Sequence, residues 1–271
     1  GRTSYYRYQW SSAYLFAGFG ERGSFLVISE VVISTVRRKS ILIKDWLDAF
    51  LSIFFPRCCL VCGGVLAKGE ECLCARCNMD LPRTNYHKMK DNPVEKLFWG
   101  KIPLERATSY FFYRRGGDTR RILHSLKYGG QKEIGEIMGR HLAVELLSSG
   151  FFEGIDMLVP VPLHKKKEKL RGYNQSEWIA RGVSVITLIP VFTSGMVREK
   201  NTETQTHKSA FERWENVDGI FRVTIPEYFS GKHILIIDDV LTTGATIVAC
   251  ASAFDKVEDI RISILTLAVA E

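Results

Sequence analysis

The sequence predicts an α/β fold, a largely parallel sheet flanked by helices, preceded by a small zinc-ribbon-like module. Three observations point there. Apolar runs without the alternation of a half-solvated sheet recur between helical segments, as strands buried on both faces do. One of these runs ends in two adjacent carboxylates, a hydroxyl-rich turn and a helix. Upstream, six of the seven cysteines fall between residues 58 and 77, a clustering that suits a metal site in a reducing compartment better than a secreted disulfide framework. The composition agrees: 46% hydrophobic and 25% charged residues over 271 positions exclude general disorder and fibrous folds. The net charge of +7 is uneven, with the basic excess before residue 200 and a net acidic stretch after it. It suits phosphate-bearing partners such as nucleotides, nucleic acid or an anionic membrane surface, and equally a solvated surface.

Residues 1–41 are left unassigned. Their apolar stretch is interrupted by Glu21, Arg22 and Glu30, so neither a membrane span nor a signal peptide is expected. Residues 42–84 read as an amphipathic helix plus the cysteine module. Trp46, Leu47, Phe50, Leu51 and Phe54 fall at helical spacing, and Pro56 ends the element. The helix lacks the basic polar face of a membrane-surface helix, so packing against the protein is expected. The polar stretch 85–93 reads as a linker.

Residues 97–271 form the α/β part. Strands are expected at 107–113, 156–161, 185–192, 233–240 and 262–269. Helices are expected at 118–127 and 132–147, separated by Gly129 and Gly130, and at 174–183 and 245–256.

In the cysteine segment, Cys59-Leu-Val-Cys62 and Cys74-Ala-Arg-Cys77 stand eleven residues apart. Two such knuckles bring four thiolates to the corners of a tetrahedron, the closed coordination of structural Zn2+. Four thiolates leave no open position for water, so the module would serve folding or partner binding. Cys58, Cys72 and Cys250 are the spare thiols, and Cys72 competes with Cys74 for the fourth corner.

The run from His233 to Ile237 delivers Asp238 and Asp239 at a strand's carboxyl end, and the loop Thr242-Thr243-Gly244 then opens a helix at Ala245 and Thr246. Open α/β sheets bind ligands at that edge. Free N–H groups and the positive helix end favour phosphate. The acids suit sugar hydroxyls or hydrated Mg2+, which keeps its waters. Neither a Walker loop nor G-x-G-x-x-G is present. A second basic segment, with Lys165, Lys166, Lys167, Lys169 and Arg171 inside seven residues, reads as a loop able to neutralise a diphosphate or a nucleic-acid backbone, and Tyr173 offers a ring for base stacking.

The segment Ile234–Thr246 resembles the phosphoribosyl-diphosphate (PRPP) signature of type I phosphoribosyltransferases. The likeness implies that Asp238 and Asp239 are the catalytic pair at the ribose hydroxyls, with Mg2+ accompanying PRPP, and that Thr242, Thr243, Gly244, Ala245 and Thr246 surround the 5′-phosphate. The order of cysteine knuckles, Pro160-Val-Pro-Leu163, Arg171-Gly-Tyr-Asn-Gln175, Thr202-x-x-Gln205 and Asp238-Asp-x-x-Thr-Thr-Gly244 resembles the ComF (ComFC) competence family over residues 42–271. This implies Val161, Pro162, Leu163 and His164 at pyrophosphate, and Lys127 of Leu126-Lys-Tyr-Gly129 as an anion contact. It also implies a flexible loop carrying Arg198, Lys200, Gln205, Lys208 and Arg213 that folds over the substrate. The resemblance further implies partners: PRPP or another phosphorylated ribose, single-stranded DNA and competence-machinery proteins, in the cytoplasm or peripheral at the inner membrane. An active salvage transferase and a non-catalytic nucleic-acid-binding protein are the alternative functions.

Overall fold

The computed structural model describes residues 54–114, 116–117, 119–199 and 219–271. The expected helix at 42–55, all but its last two residues, and the loop positions Lys200, Gln205, Lys208 and Arg213 lie outside the described residues. Arg57–Glu271 form one compact unit.

The unit opens with the cysteine segment and a short helix α1 (Ala75–Met79). Residues 85–93, expected as a linker, are instead fastened down. Asn92 caps α2 (Pro93–Phe98) by accepting from the Val94 and Glu95 N–H groups, Glu95 returns a bond to the Asn92 N–H, and the Asn92 amide donates to the Ala107 carbonyl at 2.9 Å. Such a reciprocal cap satisfies the orphan donors of the first turn. Here it also ties the segment to strand β1 (Leu104–Tyr113).

The remaining elements are α3 (Thr119–Tyr128), α4 (Glu133–Leu147), β2 (Met157–Pro160), α5 (Lys165–Arg171), α6 (Gln175–Thr187), β3 (Met196–Arg198), β4 (Phe221–Val223), β5 (His233–Leu241), α7 (Ala245–Ser252) and β6 (Arg261–Ala270). Four strands form a wholly parallel sheet in the order β1-β6-β5-β2, and β3 and β4 form a separate antiparallel pair. The expected parallel sheet flanked by helices is thus present.

Successive side chains of β5 go to opposite faces and are buried on both. Leu235 and Ile237 join the core with Leu126, Leu142 and Ile179 of α3, α4 and α6, whereas Ile234 and Ile236 pack with Cys250 and Ala251 of α7. That is why the run is continuously apolar. On the first face α4 and α6 approach closely: a Cβ at Gly139 would run into the Ile179 carbonyl, and one at Gly182 into the Glu136 carbonyl.

Three further expectations need correction. The run 185–192 is not a strand, because α6 continues to Thr187 and ends at Leu188 in the left-handed region (φ 61°); only Val191 makes a parallel bridge, to Leu158. Its Val and Ile residues fit a strand, but Ile186, Ile189 and Val191 pack on the core from a helix end and an extended connection. The basic segment 165–171 is helical rather than a loop, since the His164 ring accepts the Lys166 N–H and caps it. Helix α7 stops at Ser252, four residues short of the expected end.

Candidate functional site

β5 carries its buried apolar side chains up to Ile237, after which Asp238 and Asp239 emerge at the carboxyl edge of the sheet, both partly buried. Asp238 Oδ1 accepts two bonds at 2.9 Å, from Ser176 Oγ and from the Asp239 N–H. Burial and the adjacent Asp239 charge push the Asp238 carboxyl up to about 7, against the lowering effect of those two donors and of Lys127. Asp239 Oδ2 meets the Lys127 ammonium at 2.8 Å, on side chains 14% and 26% exposed. Burial alone would lower the Lys127 pKa, but the Asp239 charge and hydrogen bond outweigh it and raise it. At the end of β3, Arg198 sits over the Phe221 ring at 5.3 Å; burial lowers its pKa and the Asp238 charge opposes that shift.

The loop after β5 bends through Thr242–Gly244 into α7, and Thr242 and Thr246 are exposed. Gly244 has φ 80°, and a Cβ there would lie 3.0 Å from the Phe98 ring. Only glycine meets both demands. The neighbouring turn leaves β2 on the same edge. The Val161 N–H donates to the Ile237 carbonyl at 2.9 Å, and its carbonyl accepts from Asn174 Nδ2 at 3.0 Å, so Val161 is buried while Pro162, Leu163 and His164 are partly exposed.

The string Arg171-Gly-Tyr-Asn-Gln175 serves as the brace of this edge. Asn174 caps α6 through the Ser176 N–H, and Arg171 donates to Gln175 Oε1 at 2.8 Å. Tyr173 is buried, and its hydroxyl donates to the Leu126 carbonyl at 2.6 Å, directly before Lys127. The expected stacking role of Tyr173 is therefore corrected: its ring is in the core. Lys165, Lys166 and Lys169 are exposed on α5, and Lys167 is partly buried. The structure brings together Asp238, Asp239, Lys127 and Ser176. Ser176 escaped the sequence reading because its partner lies 62 residues away; the Asn-Gln-Ser string signals only a helix cap.

In the cysteine segment, the Sγ atoms of Cys59, Cys62, Cys74 and Cys77 all lie within 4.8 Å of one another. Cys62 and Cys74 are 3.8 Å apart, which matches the edge of about 3.8 Å expected for a tetrahedron with Zn–S bonds of about 2.3 Å. The cluster could hold a metal such as zinc. Backbone N–H groups support it: Cys74 donates to Cys59 Sγ at 3.3 Å, and Gly64 and Cys77 donate to Cys62 and Cys74 Sγ at 3.4 Å. Cys72 points away, its thiol 3.8 Å from the Met138 sulfur on α4, and burial pushes its pKa up to about 12. Cys72 is thus a core residue, and Cys74 fills the fourth corner. Cys250 is buried in α7 against Met196. Among the described residues no helix is long and apolar enough to cross a membrane.

No family model matches the chain. It is 29% identical to the DNA utilization protein YhgH of Escherichia coli (strain K12) over 196 residues, 71% of this chain and 82% of that one. It is 31% identical to Competence protein F of Haemophilus influenzae over 110 residues, 40% of this chain and 48% of that one. It is 35% identical to Competence protein ComFC of Bacillus subtilis over 91 residues, 34% and 35% of the two chains. Among solved structures, that of Leishmania donovani UMP synthase is similar with a TM-score of 0.31 and 17% identity, over 59% of this chain and 27% of that one. These sequence homologues, named as DNA utilization and competence proteins, support membership of the ComF/ComFC family.

Proposed function

We propose that the carboxyl edge of the sheet binds PRPP with Mg2+, and that the protein acts in the cytoplasmic handling of incoming single-stranded DNA during natural competence. The observation that carries the PRPP reading is the acid pair at the end of β5, set beside a hydroxyl-rich turn that opens α7. A sugar bearing two adjacent hydroxyls needs acceptors and a phosphate needs N–H donors, and this edge offers both within one turn of chain. Asp238 and Asp239 would take the ribose hydroxyls, and the loop from Thr242 to Thr246 the 5′-phosphate. The turn from Val161 to His164, with Lys127 and Arg198, would face the diphosphate. A hydrated Mg2+ would supply charge neutralisation to the diphosphate, and the donor set, two partly buried carboxylates at the carboxyl edge of the sheet, is of the oxygen type such a cation takes. If a phosphoribosyl group is transferred, the chain's part is to fix the donor and hold the departing charge with preorganised donors. The DNA reading rests on the names of the relatives, two of which are competence proteins and one a DNA utilization protein.

Calorimetric titration of PRPP with Mg2+ tests the first reading. Wild type should bind, and the double variant Asp238→Asn, Asp239→Asn should lose at least tenfold in affinity. Wild type that binds no PRPP would remove it. For the cysteine cluster we propose structural Zn2+. Elemental analysis should find one zinc per chain, lost in Cys62→Ser and kept in Cys72→Ser.

A further inference from the structure

We propose that the outer side of α3, continued by the tip of α5, is a track for single-stranded nucleic acid. The inference rests on the DNA-handling reading and gives it a surface. Where the first cysteine knuckle meets α3, a cleft of about 470 Å³ is lined by Leu60, Gly116, Gly117, Arg120, Arg121, His124 and Ser125. Arg120, Arg121 and His124 are exposed, and Arg121 is held in place by donating to the Val61 carbonyl at 2.6 Å. One turn on, the His124 and Tyr128 rings lie 5.0 Å apart, and Tyr128 is 66% exposed. The Arg171 guanidinium sits 5.6 Å from the centre of the Tyr128 ring, at the end of the helix that carries the exposed Lys165, Lys166 and Lys169.

These groups form one strip: cations, then an aromatic step, then cations again. From Arg120 to Tyr128 it runs about 12 Å along the helix axis. A phosphodiester chain needs cations spaced along its path, and unpaired bases need an exposed ring to stack on; a duplex hides its base faces and has no use for the second feature. The α3 surface supplies both, and Tyr128 takes the stacking part that Tyr173, being buried, cannot. Glu168 is the acid that α5 places among its lysines. The strip ends beside Lys127, the partner of Asp239, so a strand lying on it would pass the edge of the proposed PRPP site.

Fluorescence anisotropy with a labelled oligo-dT at several salt concentrations tests this, with PRPP titration of each variant as the folding control. Arg120→Ala should lower the slope of log affinity against log salt by roughly 0.7, the share of one phosphate on a single strand. Tyr128→Ala should weaken binding roughly 5- to 100-fold through loss of one stacked base, and Tyr128→Phe should restore it. PRPP affinity should be unchanged in all three. Wild type that binds the oligomer with an affinity and salt slope indifferent to these changes overturns the track and leaves the DNA reading standing. Tighter binding to a duplex of the same length also overturns the track. Wild type that binds no oligomer at low salt overturns the track and the DNA reading together, while PRPP binding is judged separately.

Discussion

At the scale of single residues, Asp238 is the position whose environment is most at odds with its chemistry. Its carboxyl is raised to about 7 by burial and by Asp239. A carboxyl whose folded pKa exceeds its unfolded value stabilises the fold fully below the unfolded value, near 4, and loses that contribution as pH rises towards 7. Asp238→Asn removes the penalty, so the variant should be more stable than wild type at pH 8. The advantage should shrink as pH falls from 7 towards 5, as measured by urea unfolding at each pH. PRPP affinity should move the other way, weakening below about pH 7 as the acceptor is protonated. Ser176→Ala removes a hydrogen bond to this carboxylate and should cost about 1 kcal/mol of PRPP binding, roughly fivefold, with the fold intact. How much of this was legible differs by residue. The place of the acid pair was, because two carboxylates after four buried apolar positions, Ile234 to Ile237, mark where a strand leaves the core. Ser176 was not, since nothing near it in sequence names its partner. Tyr173 was not, because it follows the basic run 165–171, which suggests an exposed ring, and its hydrogen-bond acceptor, the Leu126 carbonyl, lies 47 residues upstream.

At the scale of elements, the chain's periodicity was readable wherever one face decided the pattern. α4 and the core of β5 and β6 fall where their apolar spacing puts them. The failures lie where another force sets the conformation. At 165–171 a ring cap turned a charged stretch into a helix, and at 185–192 α6 ran on through β-branched residues because its side chains were already packed. The close crossing of α4 and α6 gives the firmest prediction at this scale. Gly182→Ala has no room beside the Glu136 carbonyl and should destabilise by about 1–3 kcal/mol in denaturant unfolding. An alanine at Val185, exposed on the same helix, should change stability by less than about 0.5 kcal/mol.

At the scale of the whole unit, the sheet order β1-β6-β5-β2 lay beyond sequence reading, because it depends on which strands meet across connections of tens of residues. The sequence divides a cysteine module from an α/β part, yet Cys59, Leu66, Cys72, Leu73 and Leu81 share one hydrophobic cluster with Leu158, Leu235 and Leu265 of the sheet. Thiolate ligation and sheet packing are therefore coupled by mass action, since a metal that binds only the folded chain stabilises everything that folds with it. Scanning calorimetry should show one transition for Arg57–Glu271, and a zinc chelator should lower its midpoint rather than split off an early step. Two separate transitions would refute that coupling. A shared core has a further consequence in the cell. When zinc runs short, the chain would not persist as a metal-free but intact sheet; a larger share of molecules would be open at any moment and within reach of proteases, so its abundance would follow the supply of the metal.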